Sequence, residues 1–315
     1  METDRADIND REAEGETLSG RIIRGIGGFY YVQTPKGLFS CKARGLFRKD
    51  NMKPLVGDIC TIKTVEESDP DPEALPCGSI IQISDRKNEL IRPEVANIDQ
   101  VILVFALIDP KPDVSLVDTF LVRMECKHIP VVMVFNKDDL DKDGELSNAL
   151  LKRFEKTPYE IIVTSFKNGN DTEKIKERLR GKCSVLAGPS GVGKSTLFNA
   201  LCGREVMETS HISKKTARGR HTTRRSELIM TEENTYVLDT PGFTNLGTDG
   251  LEADQIREGF PEIAKWQDEC RFYGCSHISE PDCRVKEKLS EGLIGQERYE
   301  SYVRMYRECS TRKRY

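Results

Sequence analysis

Residues 188–195 read GPSGVGKS, which is G-x-x-x-x-G-K-[ST] with Gly188, Gly193, Lys194 and Ser195 at the defining positions. This pattern suits polyphosphate chemistry. Glycines let the loop Gly188, Pro189, Ser190, Gly191, Val192, Gly193 curl so that successive backbone N–H groups face phosphate oxygens. A helix beginning at Lys194, Ser195 and Thr196 adds the partial positive charge of its N-terminus. Lys194 would reach the β- and γ-phosphates, and the Ser195 hydroxyl would bind Mg²⁺. The flanks fit: the apolar run CSVLA precedes the loop and TLFNALCG follows it.

A phosphate loop alone does not select a base. Residues 136–139, NKDD, follow the apolar run VVMVF and fit Asn-Lys-x-Asp. Guanine presents N1–H and its exocyclic amine as adjacent donors. One carboxylate, Asp139, can accept both, whereas adenine would leave it desolvated and unpaired. Asn136 can contact the purine edge, and the stem of Lys137 can lie over the base. Thr164, Ser165 and Phe166 end another apolar run and could offer backbone N–H groups to the guanine O6. Residues 239–242, DTPG, follow TYVL; Asp239 would hold a Mg²⁺-bound water and the N–H of Gly242 would sense a γ-phosphate.

A second chemical cluster lies near the C-terminus. Cys270, Cys275, His277 and Cys283 give C-x₄-C-x-H-x₅-C and include one of only four histidines. Three thiolates and an imidazole suit tetrahedral zinc, and four protein ligands leave no open position, so a structural ion is expected. Cys309 is an alternative ligand. Cys41, Cys60, Cys77, Cys126, Cys183 and Cys202 stand singly and are expected as reduced thiols.

These residues need elements to place them. VILVFALI, VVMVFN, IIVTSF, CSVLAG and TYVLDT are short continuous apolar runs separated by stretches of helical character, the pattern of parallel strands buried on both faces. Upstream, RIIRGIGGFYYVQT, KGLFSCKA, VGDICTIKTV and GSIIQIS alternate between Gly and Pro breaks and predict a barrel of about five strands, of the OB type that often binds nucleic acid. After Leu246 the chain reads as charged helices around the cysteine cluster. Expected divisions are an acidic, disordered 1–19, a barrel over 20–85, a nucleotide-binding domain over 86–247 and a helical metal-binding domain over 248–315. With 315 residues, two or three domains are expected. The 48 basic and 52 acidic residues nearly balance. Charge is instead local: residues 1–19 carry seven acids and two bases, while His211–Arg225 carries six Lys/Arg and no acid, and Tyr302–Tyr315 five Lys/Arg and one Glu. No apolar run is long enough to span a bilayer and no basic-then-apolar leader opens the sequence, so no membrane partner and a cytosolic location are expected.

The order of the motifs is unusual. In ordinary GTPases the phosphate loop precedes the base-reading motif; here Asn136–Asp139 and Thr164–Phe166 come first, then Gly188–Ser195, then Asp239–Gly242. The chain resembles the circularly permuted GTPases, and closely the ribosome small subunit-dependent GTPase A (RsgA) family. RKNELIRP at 86–93 with ANIDQ at 96–100 resembles that family's junction between barrel and GTPase domain, and GRHTTR at 219–224 its switch motif. The cysteine cluster also matches, and the resemblance runs from about Gly20 to about Cys309. It implies a multidomain α/β protein: an N-terminal OB-type β-barrel, a circularly permuted P-loop GTPase domain and a mainly helical zinc-binding domain. It implies GTP hydrolysis with Mg²⁺, stimulated by the small ribosomal subunit, in late maturation of that subunit, with rRNA as a binding partner; a monomer is expected.

Many GTPases orient the attacking water with a Gln soon after Asp-x-x-Gly, but that position is Phe243 here. The resemblance assigns the water to His221, with RNA contact or loop ordering as the other reading. Thr223 is the first choice for the switch threonine on Mg²⁺ and Thr222 the second. Arg218, Arg220, Arg224 and Arg225 are candidates for rRNA phosphates. Two other functions compete: an RNA-binding module in which nucleotide only sets conformation, and a P-loop kinase, which NKDD and the lack of a lid or acceptor motif disfavour. Permutation makes the segment after Asp239–Gly242 lead straight into the C-terminal domain, which can then read out the γ-phosphate. Hydrogen exchange over 245–315 is expected to differ between GDP and a GTP analogue; identical profiles would remove that readout.

Overall fold

The computed structural model describes residues 15–43, 53–65, 74–91, 93–168, 172–203, 227–239 and 249–311. The chain divides into two compact units near residue 97.

The first unit is built on a closed five-stranded barrel. Strands β1 (Thr17–Ile26), β2 (Phe29–Thr34) and β3 (Gly37–Ala43) form an antiparallel meander. β4 (Ile59–Thr64) closes the barrel against β1, and β5 (Cys77–Ile83) runs antiparallel to β4 and parallel to β3. Alternation works as expected: Ile22, Val32, Phe39, Cys41, Cys60, Ile62 and Ile80 point inward and form the core. Burial pushes the Cys41 and Cys60 thiols up to about 12, so they stay protonated at neutral pH. A short hairpin follows, β6 (Glu89–Ile91) with β7 (Glu94–Ala96). It is tied to the barrel by Arg86, whose Nε and Nη2 hold the two oxygens of fully buried Asp58 at 2.8 and 2.9 Å.

The second unit contains a six-stranded sheet in the order β10-β9-β8-β11-β13-β12. β8 (Gln100–Ala106), β9 (Val131–Asn136), β10 (Glu160–Val163), β11 (Cys183–Ala187) and β13 (Thr235–Asp239) are parallel, and β12 (Leu228–Glu232) is an antiparallel edge. Every residue of β8, β9 and β11 is buried, as their unbroken apolar runs require. β12 was not among the expected strands. Only Leu228 of its five residues is buried and the others are half-buried or exposed, so it carries no continuous apolar run.

Between the strands run α1 (Val114–Glu125), α2 (Glu145–Phe154), α3 (Thr172–Leu179) and α4, described over 194–203. Asp113 caps α1 by accepting from the N–H groups of Ser115 and Leu116. Asp141 does the same for α2, accepting from Ser147 N at 2.8 Å and Leu146 N at 3.3 Å.

The C-terminal segment forms α5 (Ala253–Glu258), α6 (Pro261–Gln267), α7 (Arg284–Ser290) and α8 (Gln296–Thr311). Glu252 and Gln255 make a reciprocal capping box on α5. These helices share a core with the nucleotide-binding fold: Val122 of α1 packs among Ile256, Phe260, Ile263, Val285, Tyr302 and Met305. At Gly259 the approach is so close that a Cβ would lie 2.5 Å from Val122 Cγ1. Beside this core lies a buried ion cluster. Arg298 of α8, fully buried, donates to Glu262 Oε1 on α6 at 2.7 Å and to Asp118 Oδ1 on α1 at 2.6 Å. Arg153 of α2 donates to the other Asp118 oxygen at 2.7 Å and to Ser301 Oγ at 2.9 Å. Burial pulls the Arg298 guanidinium down, but Glu262 and Asp118 outweigh it and hold the group above its ordinary value, so it stays charged.

Gly259→Ala therefore forces helix α1 and the C-terminal helices apart. A cost of about 1–3 kcal/mol is expected, read as a lower melting temperature; an unchanged melting curve would mean that the contact is slack.

Candidate functional site

Five parallel strands end at one edge of the sheet, and the motif residues gather there because the register aligns their C-terminal ends. Gly188 leaves β11 with φ +139°, and a Cβ on it would lie 2.0 Å from Val104 O of β8, so only glycine fits. Gly193 has φ +102°, and a Cβ there would meet Asn136 Nδ2 at 2.3 Å. Pro189, Ser190 and Gly191 lie at the rim of the loop, and Val192 is buried beneath it. Helix α4 starts at Lys194, with Ser195 and Thr196 exposed in its first turn.

Lys194 lies back across its own loop, with Nζ donating to Pro189 O at 2.6 Å. Burial pulls its ammonium below the ordinary lysine value, and Asp239 acts in the opposite direction. Burial also raises the Asp239 carboxyl, partly offset by Lys194. Asp239 Oδ1 is buried and has no hydrogen-bond partner among the described residues. A buried, unpartnered carboxylate oxygen is costly and suits a cation or its bound water. With the Ser195 hydroxyl at the start of α4, the donor set fits Mg²⁺, a hard cation that takes oxygen ligands.

The elements expected from the sequence to read the base are held by side-chain bonds. Asn136, at the end of β9, donates from Nδ2 to Val192 O at 2.8 Å and accepts at Oδ1 from Phe166 N at 3.0 Å. Its amide therefore joins the phosphate loop to the 164–166 loop, a bridging task beyond the purine contact read from the sequence. Lys137 has φ +67°, and its Nζ donates to Asp109 O in the connection after β8. Asp139 sits on the short 3-10 turn Asp138–Leu140 and accepts from Ser165 Oγ at 2.6 Å. The Ser165 hydroxyl thus has a task of its own, aiming the carboxylate, in addition to the backbone N–H expected from the sequence. One bond occupies one of roughly four acceptor positions, so the carboxylate can still receive two guanine donors. Thr164 and Phe166 are buried on either side, and Phe166 lies against Gly193. Asp109 had no sequence signal, because its carbonyl, not its side chain, is the working group. His221, Thr222, Thr223, the arginines 218, 220, 224 and 225, Gly242 and Phe243 lie outside the described residues.

Models of two protein families match the chain: the RsgA GTPase model over residues 83–249 and the RsgA N-terminal domain model over residues 19–69. The small ribosomal subunit biogenesis GTPase RsgA of Agathobacter rectalis is 45% identical over 312 residues, covering 95% of this chain and 100% of the relative. The chain belongs to the RsgA GTPase family. The RsgA of Caldanaerobacter subterraneus is 44% identical over 299 residues, covering 95% of this chain and 98% of the relative. Among solved structures, YjeQ from Thermotoga maritima superposes with a TM-score of 0.78 at 35% identity, covering 95% of this chain and 100% of that one. YloQ, described as a circularly permuted GTPase, gives 0.79 at 31%, covering 98% and 100%. As an RsgA GTPase, the protein is a GTP hydrolase with a permuted order of motifs, and GTP, GDP and Mg²⁺ are the ligands of its family.

The cysteine–histidine cluster also assembles. The ligand atoms of Cys270, Cys275, His277 and Cys283 all lie within 4.8 Å of one another. His277 Nδ1 is 3.5 Å from both Cys270 Sγ and Cys283 Sγ, and those sulfurs are 3.9 Å apart. Tetrahedral zinc with bonds of about 2.0–2.3 Å would set such atoms about 3.5–3.8 Å apart. Burial pushes the Cys275 thiol up to about 12, raises that of Cys283 and pulls the His277 imidazole down to about 4. Closely packed thiolates would be unstable there without a cation, so the donor set fits zinc. Glu280 braces the loop. Partial burial opposes its ionisation, but Ser276 and the N–H groups of Ser276 and Ile278 outweigh that and bring it down to about 2. Cys309 is not in the cluster, and the ten cysteines form no disulfide.

One zinc per chain is the expected result of metal analysis on the purified protein, and Cys275→Ser should lose it along with much of the C-terminal helical signal. Metal-free protein with full helicity would remove the assignment.

Proposed function

We propose that this protein hydrolyses GTP in response to the small ribosomal subunit and serves as a late factor in that subunit's maturation. The observation that carries the nucleotide half is the convergence of Lys194, Asp239, Asn136 and Ser165-braced Asp139 at one strand edge. The ribosomal half draws on the relatives' names, supported by an OB-type barrel and the basic stretch over 211–225.

In this reading, Asp139 accepts N1–H and the exocyclic amine of guanine, and Lys137, tethered to Asp109, covers the base. The N–H groups of the 188–195 loop and Lys194 hold the phosphates, and hydrolysis draws charge toward them. Ser195, Thr223 and Asp239 would hold Mg²⁺, which when bound would neutralise developing charge on the phosphates. His221 positions the attacking water on a loop that rRNA orders, which makes subunit binding and turnover one event. Gly242 senses the γ-phosphate, and Cys270, Cys275, His277 and Cys283 hold a structural zinc ion. The protein acts as a monomer in the cytosol. Along the sequence its divisions are 1–19, 20–85, 86–247 and 248–315, with the segment up to residue 97 packing in the barrel's unit and the C-terminal helices sharing a core with the nucleotide-binding fold. No described helix is long and apolar enough to cross a membrane.

The deciding experiment compares GTP and ATP hydrolysis with and without purified small subunits. Stimulation of GTP turnover alone, by small subunits alone, is expected, and His221→Ala should lose most of that stimulation while GDP binding stays intact. Turnover of ATP would overturn the reading of Asp139; full stimulated turnover by His221→Ala would remove the histidine's catalytic role.

A further inference from the structure

The buried ion cluster joins the C-terminal helices to the two helices that extend from the base-reading loops. Helix α1 follows the 107–113 connection, which contains the Asp109 carbonyl that holds Lys137. Helix α2 follows the 137–144 loop, which contains Asp139. Asp118 of α1 accepts from Arg153 of α2 on one oxygen and from Arg298 of α8 on the other. Arg153 also reaches Ser301, one turn beyond Arg298 on α8. The Arg298 guanidinium lies over the ring of Phe260 at 4.4 Å and that of Phe154, the last residue of α2, at 5.5 Å. Both helices are thus gripped by one arginine, which touches neither nucleotide motif.

We propose that Arg298 is a positioning residue for guanine recognition: by fixing α1 and α2 against each other through Asp118, Phe154 and Arg153, it sets the spacing of the Asp109–Lys137 tether and Asp139 across the base. This rests on the GTP reading above. The physical argument is geometric. A buried arginine can release neither carboxylate without stranding a charge, so the α1–α2 separation has one value. Bidentate acceptance of two donors tolerates little displacement of Asp139. The C-terminal domain therefore contributes to base affinity without touching nucleotide, and its contribution is the same for GDP and GTP.

The test measures dissociation constants for GDP and for IDP, which lacks the exocyclic amine, on full-length protein and on Arg298→Met, Arg298→Lys and Asp118→Asn. Zinc content and near-ultraviolet dichroism confirm the fold of each. Arg298→Met is expected to weaken GDP roughly fivefold and IDP less, so the preference for GDP narrows, while kcat at saturating GTP changes little. Arg298→Lys should recover part of the preference. If Arg298→Met does not fold, the near-isosteric Asp118→Asn decides in its place. Folded variants with the wild-type GDP:IDP ratio, whether both affinities are unchanged or fall together, would overturn the proposal and leave the cluster a purely structural clamp. A wild-type protein with no preference for guanine over adenine nucleotides would overturn it together with the GTP reading.

Discussion

The nucleotide site depends on one side-chain amide. Asn136 is 4% exposed, and its two ends are committed to different loops, Val192 O on one side and Phe166 N on the other. Neither loop could be placed by its own strand alone. The phosphate loop turns through glycines that impose no side-chain packing, and the 164–166 loop leaves an edge strand of four residues. A buried amide that satisfies one carbonyl and one N–H holds both at a fixed separation, and losing either partner would strand a polar group in the core. The separation so fixed is that between the 188–195 loop and the 164–166 loop. Asp139 then needs only the Ser165 hydroxyl to aim it, because the chain around it is already held by Asp138 N donating to Thr164 O at 3.1 Å.

Permutation changes what can be attached to this frame. The chain enters the sheet at β8, in its interior, builds the base-reading side first and reaches β13 last, so the C-terminal helices follow the phosphate side in sequence. In space, however, they lie on α1 and α2, the helices of the base-reading side. Sequence adjacency and spatial contact thus point to opposite ends of the nucleotide. Gly259 against Val122 and the charged groups of Asp118, Arg153, Glu262 and Arg298 seat the C-terminal helices tightly on α1 and α2.

The legible part of this protein was the part whose chemistry is contiguous in the chain. Gly188–Ser195, Asn136–Asp139, Asp239 and the cluster of Cys270, Cys275, His277 and Cys283 each declared themselves by type and spacing, and unbroken apolar runs marked the five parallel strands. What escaped was set by tertiary neighbours. Asp109 works through a carbonyl, which every residue has. Asp118, Arg153 and Arg298 are ordinary charged residues of charged helices, and the positions 118, 153 and 298 have no local relation. The side-chain task of Ser165 was not legible beside its backbone one, since a hydroxyl's partner 26 residues away cannot be read from a tetrapeptide. Strand β12 was lost because an edge with one wet face does not read as an apolar run.

Burying four charges where apolar side chains would pack as well is not a route to stability in itself. Removing one partner of such a cluster costs about 3–5 kcal/mol, but replacing the whole set with hydrophobes is often neutral. What the ions add is a single permitted register. An apolar seam between α1, α2, α6 and α8 could slide by a fraction of a turn with little change in buried area, because dispersion has no direction. Arg298 cannot slide: its Nε and Nη1 face two carboxylates on different helices, and Tyr299 and Tyr302 on the same helix donate to the carbonyls of His277 and Ser276 at 2.6 and 2.7 Å. Helix α8 is therefore fixed at once to the base-reading helices and to the loop that carries the metal ligands. An ion bound by Cys270, Cys275, His277 and Cys283 would therefore also set where the helix lies, and through Asp118 that placement would reach the frame around the base.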